Sequence, residues 1–373
     1  MRKSVSPEAR GAGSPLASVD FAVTPFIVFW EVTRACAFAC RHCRAKAQPR
    51  RHPDELTTPE GFQLIDQIAA MGAPLLVFTG GDPMMRPDLL ELIGYAAQRV
   101  RRVSLAPTAT ARVTPQALDA AWQAGVSRFS VSLDGATAAV QDSFRGMPGS
   151  FQRTLSILEA ITARGCSVQV NTTVSRFNVD SLEEVARMVV GLRPALWDLF
   201  FLVPTGRGQR EDMLSPQQHE AVFRWLYRFS LTAPFDIKTT AAQHYRRVAL
   251  QEAGGAGVTG PGFTSGDGIG RARGVNDGNG CCFVSHIGEV YPSGFLPLMA
   301  GNVRQTPLSQ LYRESTLFRE LRDLTLLKGK CGRCEYKVIC GGSRSRAYAV
   351  TGDYLEAEPC CTYVPEAGDG GRG

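Results

Sequence analysis

Residues 26–43 read Phe26-Ile27-Val28-Phe29-Trp30-Glu31-Val32-Thr33-Arg34-Ala35-Cys36-Ala37-Phe38-Ala39-Cys40-Arg41-His42-Cys43. An apolar run of strand length leads into three cysteines with the spacing Cys-x3-Cys-x2-Cys. Three thiolates on one loop can bind three irons of a cubane and leave the fourth iron open. An open iron can chelate the amino and carboxylate groups of a small ligand, and a low-potential cluster can pass it an electron. Zinc is the competing reading. Structural zinc wants four ligands, usually with a Cys-x2-Cys pair, and His42 is a fourth ligand on paper only, because Cys40 and Cys43 orient it poorly.

Outward from this loop, short apolar runs alternate with amphipathic segments. The runs span 26–31, 74–79, 102–105, 128–133, 167–174 and 196–203. Between them, apolar residues recur at three- and four-residue steps over 58–70, 88–99, 115–124, 150–164, 181–191 and 216–229. Thr57-Thr58-Pro59-Glu60 and Thr114-Pro115 mark helix starts, with proline suited to the first turn. Six β–α units in series predict an α/β fold with a parallel sheet and helices outside, a partial (βα)6 TIM-like barrel over 25–240. Its site is expected at the C-terminal ends of the strands.

A chain of 373 residues, 44% apolar, can bury a sizeable core. Its net charge of +6 is mild and its basic residues form no long run, which argues against nucleic acid as a partner. No apolar stretch of about 18 residues occurs, so no membrane span is expected. Residues 1–24 read as a disordered arm without the apolar segment of a signal peptide, and the expected location is cytoplasmic. Residues 254–280 hold 11 glycines, too many for regular packing. They make 241–280 either a linker or a lid over the site. A small cysteine-rich domain is expected over 281–365, beginning with a hairpin that turns at Gly288, and 366–373 reads as a tail. Three of the eleven cysteines fall within 36–43 and seven within 281–361. Such clustering in a reducing compartment points to metal rather than disulfides.

With its companions, the first cysteine triad resembles the signature of the radical SAM superfamily. Thr79-Gly80-Gly81-Asp82-Pro83 is similar to that family's Gly-Gly-Glu-Pro motif, with Asp82 in place of the usual Glu. The resemblance implies that Gly80, Gly81, Asp82 and Pro83 meet the amino group of S-adenosylmethionine (SAM). Val131-Ser132-Leu133-Asp134-Gly135 and Asp142-Ser143-Phe144-Arg145-Gly146 are similar to family segments that handle the ribose hydroxyls and the methionine carboxylate. Ser132 and Asp134 can bond hydroxyls, and Arg145 can form a bidentate pair with a carboxylate. Asn171, Thr173 and the segment Val203-Pro204-Thr205-Gly206 are further candidates for ligand contacts.

Cys331-x2-Cys334-x5-Cys340 followed by Gly341-Gly342 resembles the SPASM/twitch extension of radical SAM enzymes, which binds auxiliary clusters. Two family ligand positions are missing, since Ser293 and Arg344 stand where cysteines would. Both belong to the same auxiliary cluster, so the resemblance implies one second [4Fe–4S] cluster, on Cys331, Cys334, Cys340 and either Cys360 or Cys361. Cys361 is favoured by Pro359-x-Cys361-x-Tyr363. Four cysteines also describe a zinc site. Cys166, Cys281 and Cys282 read as buried small residues.

The resemblance implies reductive cleavage of SAM by a [4Fe–4S] cluster to a 5′-deoxyadenosyl radical. That radical takes hydrogen from an acidic small molecule or a tetrapyrrole-like substrate, as in haem biosynthesis. An electron donor such as ferredoxin or flavodoxin is the implied partner. Two other functions compete: maturation of a ribosomal peptide, and a non-catalytic iron–sulfur carrier or redox sensor, which has no need of the SAM motifs. No catalytic acid, base or nucleophile can be assigned. Arg44, Lys46, Arg50, Arg51, Arg207, Arg210, Arg246 and Arg247 could meet substrate carboxylates, with one or two expected to matter. Arg344, with Arg346, could instead anchor an acidic substrate in the volume left by the missing cluster, or merely plug it.

Overall fold

A computed structural model describes residues 19–254 and 274–366. Residues 1–18 of the expected arm, 255–273 of the expected linker or lid and 367–373 of the expected tail lie outside the described residues. The strands are β1 Ile27–Glu31, β2 Leu75–Thr79, β3 Arg102–Leu105, β4 Arg128–Ser132, β5 Ser167–Val174, β6 Leu196–Phe201, β7 Asp236–Thr240, β8 Cys281–Val284, β9 Glu289–Tyr291 and β10 Gly301–Asn302. They form one sheet in the order β10-β9-β8-β1-β2-β3-β4-β5-β6-β7. β1 pairs in parallel with β2 (Ile27 opposite Leu75) and with β8 (Ile27 opposite Cys281). β8, β9 and β10 are joined by antiparallel pairings.

Eight parallel strands thus run from β8 through β1 to β7. No ladder among the described residues joins β7 to β8, so the barrel is partial. The sequence reading stopped at six strands because β7 is not apolar. Lys238, Thr239 and Thr240 are only half-buried there, and Lys238 and Thr240 face the barrel interior. Cys281–Val284, read as a hairpin arm, is that arm and also a barrel strand, buried along its whole length.

The helices α1 Thr58–Ala70, α2 Leu89–Ala97, α3 Pro115–Ala124, α4 Ala138–Arg145, α5 Ser150–Ala163, α6 Leu182–Leu192, α7 Pro216–Ser230 and α8 Tyr245–Glu252 connect the first seven strands and follow the seventh. Thr57 and Glu60 form a capping box at α1, and Ser215 and Gln218 do so at α7, which satisfies otherwise orphaned N–H groups. The main core lies between sheet and helices and includes Val28, Trp30, Leu64, Ile68, Leu76, Phe78, Phe129 and Trp197. Each such side chain contributes roughly 1.5–3 kcal/mol by leaving water. A smaller cluster, Phe26, Ile27, Leu75, Val77, Leu196 and Cys281, fills the inner face toward the strand starts. Polar groups therefore gather at the strand ends. No helix of the described residues is long and apolar enough to cross a membrane.

Candidate active site

The loop after β1 carries Cys36 and Cys40, both buried, and Cys43, half-buried; all three are free thiols. Backbone bonds hold this loop. Cys36 N–H donates to the Gln48 carbonyl (2.7 Å), Arg41 N–H to the Phe144 carbonyl (3.0 Å) and Arg207 N–H to the Cys43 carbonyl (3.0 Å). Glycines let other loops press against it. A Cβ on Gly81 would lie 2.6 Å from the Arg34 and Ala35 carbonyl oxygens, one on Gly146 2.7 Å from that of Ala39, and one on Gly206 2.4 Å from that of Cys43. The loops after β2, α4 and β6 therefore clamp the cysteine loop from three sides. Of the segment 203–206, Gly206 packs on the loop and Val203 lines the cavity.

The three cysteines open into a cavity of about 350 Å3 inside the barrel. Gly80, Gly81, Ser132, Arg145, Asn171 and Thr173 also line it. Asn171 and Thr173 get there because alternate residues of β5 face inward. The structure places two acidic candidates and a proline outside the cavity lining. Asp82 is fully buried outside the cavity, and both of its oxygens are taken. Oδ1 accepts from Met84 N–H (3.1 Å) and Thr108 N–H (3.4 Å), and Oδ2 accepts from the Thr110 hydroxyl (2.7 Å). Pro83 begins the short turn that Asp82 caps and does not face the cavity. Asp134 is likewise buried behind the lining. Its Oδ1 accepts from Thr173 N–H (2.7 Å), and its Oδ2 lies 2.5 Å from Arg145 Nη2. Arg145 is thus aimed by Asp134, and its Nε has no hydrogen-bond partner among the described residues. Burial raises the Cys40 thiol pKa, which neighbouring Arg145 counteracts. His42 stacks on Phe144 with ring centroids 4.2 Å apart, and burial pulls its imidazole down to about 4.

Cys331, Cys334, Cys340 and Cys361 surround a second, small cavity; Cys360 does not line it. Donors converge on these sulfurs. Glu358 N–H points at Cys331 Sγ (3.3 Å) and Gly342 N–H at Cys340 Sγ (3.4 Å), while Arg247 Nη2 lies 3.9 Å from Cys361 Sγ. Such a donor set suits thiolates bound to metal. Arg344 does not reach the barrel cavity. Its guanidinium donates to the Tyr354 (3.0 Å) and Glu356 (2.7 Å) carbonyls, and Nη2 lies 4.0 Å from Cys331 Sγ. Arg346 bonds Glu358 and the Ala241 carbonyl (2.6 Å). Neither arginine lines the barrel cavity: Arg344 plugs a gap within the cysteine-rich region, and Arg346 ties that region to the barrel.

A family profile described as the Radical SAM superfamily matches residues 30–189. The AdoMet-dependent heme synthase of Methanosarcina barkeri (strain Fusaro / DSM 804) is 42% identical over 341 residues, 91% of this chain and 97% of the relative. The chain belongs to the radical SAM superfamily. Another protein of that name, from Nitratidesulfovibrio vulgaris, is 40% identical over 359 residues, 95% of this chain and 96% of the relative. In fold, the chain is like the crystal structure of Streptococcus suis SuiB bound to precursor peptide SuiA, with a TM-score of 0.69 over 91% of this chain and 76% of that one at 12% identity.

Radical SAM enzymes use a [4Fe–4S] cluster and SAM, and the first cavity fits both. Three thiols on one loop would hold three irons, and Arg145, whose Nε has no hydrogen-bond partner among the described residues, lines the same cavity and could meet a carboxylate.

This radical SAM chain also has an inner polar network that sequence reading missed. Asp198 on β6 accepts from Lys238 Nζ (2.7 Å) and the Thr240 hydroxyl (2.9 Å), both on β7, and all three line the cavity. Alternation along those strands was the available signal, had β7 been recognised. Of the eight cations named from sequence, Arg44 and Arg246 line the cavity. Arg44 is held by Glu31 (3.1 Å) and lies over the Phe283 ring (4.4 Å).

Proposed function

We propose that this radical SAM enzyme carries out a SAM-dependent step of haem synthesis, taking hydrogen from an acidic tetrapyrrole-like substrate in the barrel cavity. The observation that carries the proposal is that one cavity gathers Cys36, Cys40, Cys43 and Arg145 together with the cations Arg44, Lys238 and Arg246. The names and near-complete overlap of the two haem synthase relatives support it.

Cys36, Cys40 and Cys43 would hold the catalytic cluster. Arg145, fixed by Asp134, would take the SAM carboxylate, and Ser132, Asn171 and Thr173 would meet the remainder of SAM. When bound, cluster and SAM supply a 5′-deoxyadenosyl radical. The chain's own part is to place a substrate C–H bond beside it and exclude water, for which Phe29, Phe200, Phe283 and Phe295 line the cavity. Arg44 would orient a substrate carboxylate. Cys331, Cys334, Cys340 and Cys361 would hold an auxiliary [4Fe–4S] cluster with no open iron, suited to electron transfer. We place the enzyme in the cytoplasm, where its thiols stay reduced and a ferredoxin or flavodoxin can supply electrons.

The test is anaerobic incubation of the reduced, reconstituted enzyme with SAM and iron-coproporphyrin, followed by mass spectrometry. Haem and 5′-deoxyadenosine should appear together, and Cys40→Ala should abolish both. Formation of 5′-deoxyadenosine with the tetrapyrrole unchanged would exclude this substrate class.

A further inference from the structure

Arg246, on α8, lines the barrel cavity and stands beside the second cysteine set. Its two terminal nitrogens are pinned by backbone. Nη1 donates to the carbonyl of Ile339, the residue before Cys340, at 3.0 Å, and Nη2 donates to the Val275 carbonyl at 2.9 Å. Carbonyls fix the orientation of a guanidinium but leave its charge uncancelled. Among the described residues no carboxylate comes within ion-pair distance of it.

The other cations at this cysteine set differ in place. Arg247 is neutralised by Glu220 at 2.5 Å. Arg344 donates to the Tyr354 and Glu356 carbonyls, Lys330 to the Cys361 carbonyl and Lys337 to the Gly332 carbonyl. None of these four lines the barrel cavity. A half-buried cation on a cavity wall without a counter-charge favours an anionic group brought beside it. A cubane on four thiolates carries net negative charge and gains more on reduction, so a fixed cation nearby favours the reduced form.

We infer that Arg246 is the cavity-facing cation that offsets the charge of the iron–sulfur group on Cys331, Cys334, Cys340 and Cys361, raising its reduction potential. This makes Arg246 a positioning and tuning residue rather than a catalytic one. It rests on the reading of the second cysteine set as a cluster site.

The test uses the full chain with Cys36, Cys40 and Cys43 replaced by Ala, so that signals come from the second set alone. Iron content and an EPR-monitored redox titration are the readouts. The background protein should hold about four irons per chain. Arg246→Gln should shift the one-electron potential negative by at least a tenfold change in the equilibrium, 59 mV. Arg246→Lys, which keeps the charge, should stay within that margin. Iron lost in Arg246→Gln and restored in Arg246→Lys would also support a charge role. A background protein without iron overturns the cluster reading itself. A loaded Arg246→Gln protein with unchanged potential, or loss of iron in both variants, overturns the role of Arg246.

Discussion

Arg145→Met should damage two properties at once, and a second substitution should repair only one of them. Asp134 is fully buried, with Thr173 N–H on one oxygen and Arg145 2.5 Å from the other. Removing the guanidinium leaves a buried carboxylate without its counter-charge, which costs about 3–5 kcal/mol. Asp134→Asn in the same chain removes that charge while keeping an acceptor for Thr173 N–H. The double variant should therefore regain most of the lost stability. SAM affinity should not return, because the proposed charge-assisted bond to the SAM carboxylate would contribute about 1.5–3 kcal/mol, roughly tenfold to a little over a hundredfold in Kd. Stability is read by urea denaturation of the apoprotein, and affinity by anaerobic equilibrium binding of SAM to the reconstituted enzyme. A double variant that binds SAM like the wild type would reduce Arg145 to a counter-ion for Asp134.

Cys361→Ser should lower iron from about eight to about four per chain, whereas Cys360→Ser should leave it unchanged, as measured by iron analysis after anaerobic reconstitution. Gly206→Ala places a Cβ where the Cys43 and Arg44 carbonyls stand, at a φ of +66°, and should reduce iron on the first set alone, leaving about four. Glu60 is pulled down to about 2, chiefly by its hydrogen bond from Arg304. A carboxylate depressed in the folded state stabilises it fully above its ordinary pKa of 4.5, and that contribution is lost as pH falls through about 2. Glu60→Gln apoprotein should thus be about 0.2–1 kcal/mol less stable at neutral pH, with the difference shrinking toward zero near pH 2.

Local chemistry made much of the fold readable. Caps at Thr57 and Thr114 and the apolar runs of the first six strands are short-range signals, and each element formed where they stand. β7 escaped because a strand lining a polar cavity alternates in the wrong sense for an apolar search. Motif order marked the right strand ends, but it could not reveal which polar groups the protein uses for itself. Asp82 meets Thr110, and Asp134 meets Thr173, 39 residues away, so both acids lie behind the cavity lining. Arg344 follows the same rule: a guanidinium in a gap between segments was met by carbonyls, and only the folded chain supplies those.

The clamp around the cysteine loop bears on how the centre is built and rebuilt. Ordering a loop costs about 1–2 kcal/mol per residue, and a site that forms only around its metal draws that from the binding energy. Here the segment from Arg34 to Gln48 is tied by its own bridge and braced by neighbouring backbone. Those ties belong to the fold and not to the metal, so they lower the share of the ordering cost that an iron–sulfur group on this loop must meet.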